Sequence, residues 1–183
     1  MESASWILIA ALVSPRLKKA FMVLLKEHEL ITDLSTLVES TDDPSNEDHP
    51  IITLEAWNFH NAVLSRGNAP LGILLKSHQS PLAISDSLDR FSLIALDFPS
   101  VSDGRAFSYA RLLRDRYSFK GEVRAVGEVR RDQYLFMLRC GFDALEVDDT
   151  INPADWRDAA SEVSVFYQPG SDNVPWSFRR RNS

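Results

Sequence analysis

The feature that most constrains the fold is a regular alternation of apolar runs and amphipathic stretches that begins at Leu71. Short polar loops separate the two kinds of segment, and the amphipathic stretches carry apolar residues at helical spacing. This order predicts right-handed βαβ crossovers and a parallel sheet, and therefore an α/β fold. The predicted strands are 71–75, 91–98, 121–126, 143–147 and 163–167.

Start and stop signals fix several helices within this pattern. Ser80 followed by Pro81 predicts one helix start and Asn152 followed by Pro153 predicts another, while Gly141 predicts a helix end. Further helices are expected after Thr53, over 105–117 and over 130–139, and the runs 22–26 and 30–32 predict an N-terminal β-hairpin. About five parallel strands are too few for an eight-stranded barrel. We therefore expect a mainly parallel sheet, either open and doubly wound or a half-barrel.

The length of 183 residues is typical of one domain, which we place at 22–168. Residues 169–183 lack periodicity, and we expect them to form a flexible aromatic and basic tail. The apolar run 6–13 is too short to span a bilayer, and its basic residues follow it instead of preceding it as in a signal peptide. These features predict a cytoplasmic protein without a membrane segment.

Charge and cysteine content exclude several classes of function. The net charge of −6 disfavours binding to nucleic acid or to anionic membranes. One cysteine excludes an internal disulfide, a four-cysteine zinc site and a self-contained iron–sulfur cluster, and we expect Cys140 to be a buried apolar residue. The four histidines have no metal-like spacing, and the chain has neither a dinucleotide-binding glycine motif nor a Walker loop. No cofactor and no metal site is evident.

The candidate chemistry lies in the loops that follow the predicted strands, because parallel α/β folds bind ligands at the carboxyl ends of their strands. If the topology holds, these loops bring together a mixed acid–arginine site. Each residue also has a structural interpretation: Asp103 as a helix cap, Gly104 as a turn residue and Asp132 as a first-turn acid. The residues of this site are Asp103, Arg105, Glu128, Arg131 and Asp132.

Three long segments closely resemble one bacterial family, the domain of unknown function 934 family. They are 96–114, which contains Asp-Gly-Arg; 121–133, which contains Gly-Glu-Val-Arg-Arg-Asp-Gln; and 137–144, which contains Arg-Cys-Gly-Phe-Asp. The resemblance is strongest over about 70–147. The positions that it singles out, as motif or anion-binding positions, are Asp103, Gly104, Arg105, Arg111, Gly127, Glu128, Arg131, Asp132 and Gln133.

Members of that family are commonly encoded beside sulfite reductase and other genes of assimilatory sulfate reduction. The resemblance therefore implies a role in sulfite reduction, with sulfite reductase or another protein of sulfate assimilation as partner. Related chains begin near the hairpin, so residues 1–21 are expected to be an N-terminal extension or a misassigned start.

Two hypotheses from different classes follow, and the sequence leaves open whether the protein is an enzyme. In the first, an accessory protein assists sulfite reductase in docking, assembly or electron supply, with an aromatic and basic tail as the contact. In the second, a small enzyme binds a sulfur oxyanion or another small acid through Arg105 and Arg131, with Asp103 or Glu128 as acid or base. The tail residues of the first hypothesis are Trp176, Phe178, Arg179, Arg180 and Arg181.

Overall fold

The computed structural model describes residues 22–38, 49–64, 71–172 and 174–177, and these form one sheet with a layer of helices. Its strands are β1 Met22–Lys26, β2 Glu29–Ile31, β3 Thr36–Val38, β4 Pro50–Thr53, β5 Leu71–Leu75, β6 Phe91–Phe98, β7 Glu122–Gly127 and β8 Ala144–Asp148. Their order in the sheet is β2-β1-β8-β7-β6-β5-β4-β3. Of the expected terminal segments, 1–21 and the part of the 169–183 tail from 178 onward lie outside the described residues.

The helices alternate with the strands, as the sequence predicts. They are α1 Leu54–Leu64, α2 Arg105–Arg111, α3 Tyr134–Cys140 and α4 Pro153–Ser161. A 3₁₀ helix spans Pro81–Arg90 and a short one spans Arg131–Gln133, while α2 continues into a π-helical turn at Leu112–Arg116. The predicted caps are confirmed at Ser80, whose side chain accepts from the amide of Leu82, and at Asn152, which accepts from Ala154.

Within the described residues the sheet is mixed and has eight strands, which corrects the expectation of about five mainly parallel strands. All five pairings from β3 through to β8 are parallel, whereas β1 pairs antiparallel with both β2 and β8. The N-terminal hairpin is confirmed, and its turn residues Glu27 and His28 both have positive φ. The hairpin joins the edge of the parallel sheet at β8 and so becomes part of it.

The sheet is curled into a half-barrel, and one short connection explains why. Strands β2 and β3 occupy opposite edges of the sheet, yet only four residues separate Ile31 from Thr36. A chain of this length reaches at most about 17 Å, whereas the edges of a flat eight-stranded sheet lie about 33 Å apart. The two edges must therefore approach each other, which excludes the open, doubly wound alternative.

The two faces of the sheet differ in chemistry. On one face Ile94, Leu96 and Phe98 are fully buried beneath the helices, and the ring of Phe98 lies 5.0 Å from that of Phe107 in α2. Alternate residues of the same strands face the inside of the curl, because successive side chains point to opposite sides of a sheet. This inner face carries charged residues, among them Lys26, Asp97, Glu122, Arg124 and Glu146.

Three local predictions differ from the structure. The segment 81–90 is a 3₁₀ helix with a non-helical residue at Ser87, not a regular amphipathic α-helix. Strands β3 and β4 have only three and four residues, so they show too little alternation to be recognised. The segment 163–167 has strand composition but forms no strand, since it pairs with no other strand among the described residues.

Candidate functional site

The carboxyl ends of β5 and β6 bring together the residues that we call the strand-end cluster: Ser77, Asp97, Asp103 and Arg105. Ser77 follows β5, Asp97 lies near the end of β6, and the other two lie where the next loop enters α2. The guanidinium of Arg105 donates from Nε to Asp103 Oδ1 at 2.9 Å and from Nη2 to Asp103 Oδ2 at 2.6 Å. Nη2 also donates to the hydroxyl of the buried Ser77 at 3.0 Å.

The pairing with Arg105 fixes the charge of Asp103. Hydrogen bonds from the Arg105 side chain hold the pKa of Asp103 far below its ordinary range, so this carboxyl is ionised at neutral pH. Asp103 also accepts from the backbone N–H of Arg105 at 3.2 Å, although Gly104 is the N-cap residue of α2. The carboxylate therefore orients Arg105 and is unsuited to act as a general acid or base. Arg105 Nη1 donates no hydrogen bond to another described residue. The N–H groups of Nη1 can therefore bind an anion.

Asp97 is a candidate acid or base that sequence reasoning did not single out. Burial and the negative charge of Asp103 raise its pKa, and the nearby charges of Lys76 and His78 oppose that shift. Its side chain points to the inner face, in register with Val126 of β7. The sequence feature that could have identified Asp97 is its position as the one carboxylate near the carboxyl end of a mostly apolar strand.

We predict that Asp97→Asn makes the protein more stable than wild type at neutral pH but not in acid. Below the ordinary carboxyl pKa of 3.8 the side chain is protonated in both folded and unfolded chains. As the pH rises through the raised pKa, the folded protein must ionise a half-buried carboxyl beside Asp103, and wild type loses stability relative to the variant. Thermal unfolding from pH 3 to 8 measures the difference, with Asp149→Asn as an exposed control. A constant difference across this range would contradict the prediction.

The motif from Gly127 to Gln133 holds the loop that follows β6. The amide of Glu128 donates to the carbonyl of Phe98 at 2.8 Å, and Nε2 of Gln133 donates to the carbonyl of Val101 at 3.1 Å. Gly127 has φ of +93° and lies close to the same loop. These motif residues therefore position the strand-end cluster instead of forming it, and the Glu128 side chain is exposed.

Arg131 and Asp132 line a different cavity, which Asp103 and Arg105 do not line. This C-terminal cavity has a volume of about 530 Å³ and lies between the helices and the segment after α4. Its apolar lining includes Phe136, 56% exposed, and Tyr167, 87% exposed. The remaining charged residues of the lining are Arg111, which pairs with Asp115 at 3.3 Å, together with Arg139 and Glu162.

Arg139 attaches the C-terminal segment to the helix layer. Its guanidinium lies 3.7 Å from the ring centroid of Phe166, forms an ion pair with Asp172 at 3.0 Å and donates to the carbonyl of Gln168 at 2.7 Å. Of the expected docking residues in the tail, Trp176 is half-buried. The others, Phe178, Arg179, Arg180 and Arg181, lie outside the described residues.

A third set of charged residues, also missed by sequence reasoning, occupies the inner face at the opposite end of the parallel strands. Arg124, only 5% exposed, pairs with Asp33 at 3.2 Å and with Glu122 at 2.8 Å. Lys26 bonds to Glu122 at 2.9 Å. Burial raises the pKa of Glu122, but the hydrogen bonds and charges of Lys26 and Arg124 lower it by a larger amount. The net pKa is therefore below the ordinary value, and the carboxyl is ionised. Because Asp33 belongs to the connection between β2 and β3, this inner ion-pair network joins that connection to the sheet.

Other candidate chemistries have little support in the described part of the chain. Cys140 is buried, as expected, and burial raises the pKa of its thiol to about 11, which makes it a poor nucleophile. Across residues 22–38, 49–64, 71–172 and 174–177, His, Cys, Asp and Glu side chains form no group of three suited to a metal ion. No helix in these ranges combines the length and apolar character needed to cross a bilayer.

Comparison with known proteins identifies the family. No curated protein matches the chain. The family model of bacterial proteins of unknown function (DUF934) matches residues 72–177, which is more than half of the chain. The match runs from the second residue of β5 past α4, and it includes the strand-end cluster, the motif from Gly127 to Gln133 and the C-terminal cavity. The chain therefore belongs to this family of bacterial proteins of unknown function.

Proposed function

We propose that the protein is an accessory protein of assimilatory sulfite reduction that docks on sulfite reductase. The pathway and the partner follow from the resemblance described above, in which relatives are encoded beside sulfite reductase. The observation that supports docking is an exposed apolar and arginine-containing surface around the C-terminal cavity. We call it the C-terminal surface, and it comprises Arg131, Phe136, Val163, Val165 and Tyr167.

This surface has the composition of a protein interface. Aromatic residues and arginine dominate the binding energy of interfaces, and Tyr167 and Phe136 are largely exposed. Phe136 is also held in place, since its ring lies 4.8 Å from that of the buried Phe107. A fixed aromatic side chain loses little entropy on binding. The lining of the cavity carries three arginines against Asp132 and Glu162, so this surface is locally basic and suited to an acidic partner, although the net charge of the whole chain is −6.

The test compares two exposed phenylalanines on different surfaces. Phe136→Asp is expected to weaken copurification with sulfite reductase by about thirtyfold, as for a central interface aromatic. Phe59→Asp changes a side chain that is 79% exposed on α1 and should bind like wild type. Melting temperatures of both variants verify that each is folded. Equal binding by Phe136→Asp, or no binding by wild type, would contradict the proposal.

Growth of a deletion strain tests the pathway separately. Loss of the gene should prevent growth on sulfate or sulfite as sole sulfur source, whereas sulfide or cysteine should restore it. Complementation by wild type and by Phe59→Asp, but not by Phe136→Asp, would connect the C-terminal surface to this step. Normal growth of the deletion strain on sulfite, without a redundant copy, would refute the assignment to sulfite reduction.

A second candidate is a small enzyme that binds a sulfur oxyanion or another small acid. The observation in its favour is the strand-end cluster, where Arg105 offers N–H groups and its partner Asp103 acts electrostatically on Asp97, a carboxyl with a raised pKa. Arg131, which the sequence analysis assigned to the same anion site, lines the C-terminal cavity instead. Calorimetric titration with sulfite discriminates the two: saturable binding that is lost in Arg105→Gln favours the enzyme.

A further inference from the structure

The segment 163–167, with the sequence Val-Ser-Val-Phe-Tyr, has the composition of a β-strand but pairs with no strand in the part of the chain that the structure describes. β-branched and aromatic residues favour strands, and the segment contains neither charge, proline nor glycine. Val165 is 58% exposed and Tyr167 is still more exposed. An uncovered segment of this composition is a template for pairing with another chain. Exposure of such a segment in a folded protein therefore indicates that it binds another chain.

The backbone of this segment is available for pairing. Neither Ser164 nor Val165 forms a backbone hydrogen bond with another described residue. The carbonyl of Phe166 accepts from the amide of Ser177 at 2.8 Å, so one edge of the segment faces a later part of the same chain. Successive residues of an extended strand direct their N–H and C=O groups to opposite edges, so Ser164 shares the edge of Phe166. The N–H and C=O of Val165 lie on the other edge and can pair with an incoming strand.

The segment is also fixed in position before any partner binds. Arg139 packs against Phe166 and binds the carbonyl of Gln168, and the hydroxyl of Ser171 donates to Asp115 at 2.7 Å. These contacts tie the segment to α3 and to the π-helical turn. Prior fixation lowers the entropy that pairing would cost, since the backbone no longer has to be ordered at that moment.

We propose that 163–167 becomes a β-strand by pairing with an extended, acidic segment of the partner. This inference rests on the proposed function and specifies how docking occurs. Apolar side chains of the incoming strand would cover Val163 and Val165, and a carboxylate would meet Arg131. Arg131 is exposed on the same cavity and has no ion pair with another described residue. Its charge is the complement of an acidic segment, and addition of a strand to an exposed backbone is a common recognition mode.

The test separates the backbone from the side chain at one position. Val165→Pro removes the N–H that an incoming strand needs, whereas Val165→Thr keeps both the backbone and the β-branched shape. Binding to purified sulfite reductase should fall at least about tenfold in Val165→Pro and change less than about threefold in Val165→Thr. Hydrogen exchange should show that the partner protects the amide of Val165 more than that of Ser164, which lies on the opposite edge of the segment.

Charge is tested in the same assay. Arg131→Glu should weaken binding about tenfold, with the effect reduced at high salt, whereas the exposed Arg116→Glu on the π-helical turn should not. The outcomes are distinguishable. If wild type does not bind sulfite reductase, the proposed function and this inference both fail.

If wild type binds and Val165→Pro binds equally well, only strand pairing fails. Protection of 163–167 in the isolated protein at high concentration, with a dimer that Val165→Pro dissociates, would identify a second copy of this chain as the occupant and overturn the acidic partner.

Discussion

Replacing Arg124 by alanine is expected to lower the free energy of unfolding by about 3–5 kcal/mol, because it leaves two largely buried carboxylates without their partner. Arg124 pairs with Asp33 and Glu122 and donates to the hydroxyl of Ser35 at 3.0 Å. Two of these three contacts reach the connection between the edge strands. The loss should therefore also speed hydrogen exchange in 32–35, where the sheet is closed by a short segment.

The matched control is Arg130→Ala. Arg130 is exposed and pairs with Asp132 at 3.5 Å, so its removal should change stability by less than about 1 kcal/mol. Urea unfolding of both variants measures the difference. A loss below about 1 kcal/mol in Arg124→Ala would show that solvent reaches the inner ion-pair network and compensates both carboxylates.

Replacing Gly127 by alanine is expected to cost about 2–4 kcal/mol, from backbone strain together with overpacking. The residue has φ of +93°, which side chains disfavour. A Cβ atom there would lie 2.5 Å from the carbonyl oxygen of Phe98 and 3.0 Å from Oδ1 of Asp97. Relief requires the β6 loop to move, so the strand-end cluster should be disturbed as well.

Gly104 provides a control within the same family motifs. Its φ of −87° is accessible to any residue, and a Cβ atom would meet only a ring carbon of Phe107 at 3.9 Å. Gly104→Ala should therefore leave stability unchanged or raise it by up to about 1 kcal/mol. Thermal unfolding of the pair measures this. Equal effects at both positions would refute the conformational explanation.

The sequence predicts the fold best where strands are long and helix signals are explicit. Strands β5 to β8 agree with their apolar runs, and Asn152 caps α4 as expected. The short strands β3 and β4 are not predicted, because three or four residues show little alternation. Missing these two strands lowers the predicted number of strands. The curl depends on the distance between sheet edges, which requires the strand order and is not a local property.

The candidate site was predictable in part. Asp103 and Arg105 are two residues apart, so their pairing follows from local geometry, and Ser77 joins them only through the parallel pairing of β5 and β6. Arg131 follows a strand end as predicted, yet it lines the cavity among the helices. The side of a loop on which an arginine lies depends on packing that periodicity does not encode. The same reason explains why Asp97 was not assigned a role.

The pairing of β1 with β8 has a consequence for how the chain folds during synthesis. Leu25 lies opposite Leu145, so the first strand of the sheet must wait for the last one. Strands β3 to β7 can add to one another in the order in which they leave the ribosome, because each pairs with its neighbour in sequence. The β1–β2 hairpin instead lacks its neighbour in the sheet until translation has passed β8. Pairing of segments that are distant in sequence slows folding. Completion of the half-barrel is therefore a late event that depends on the whole domain being present.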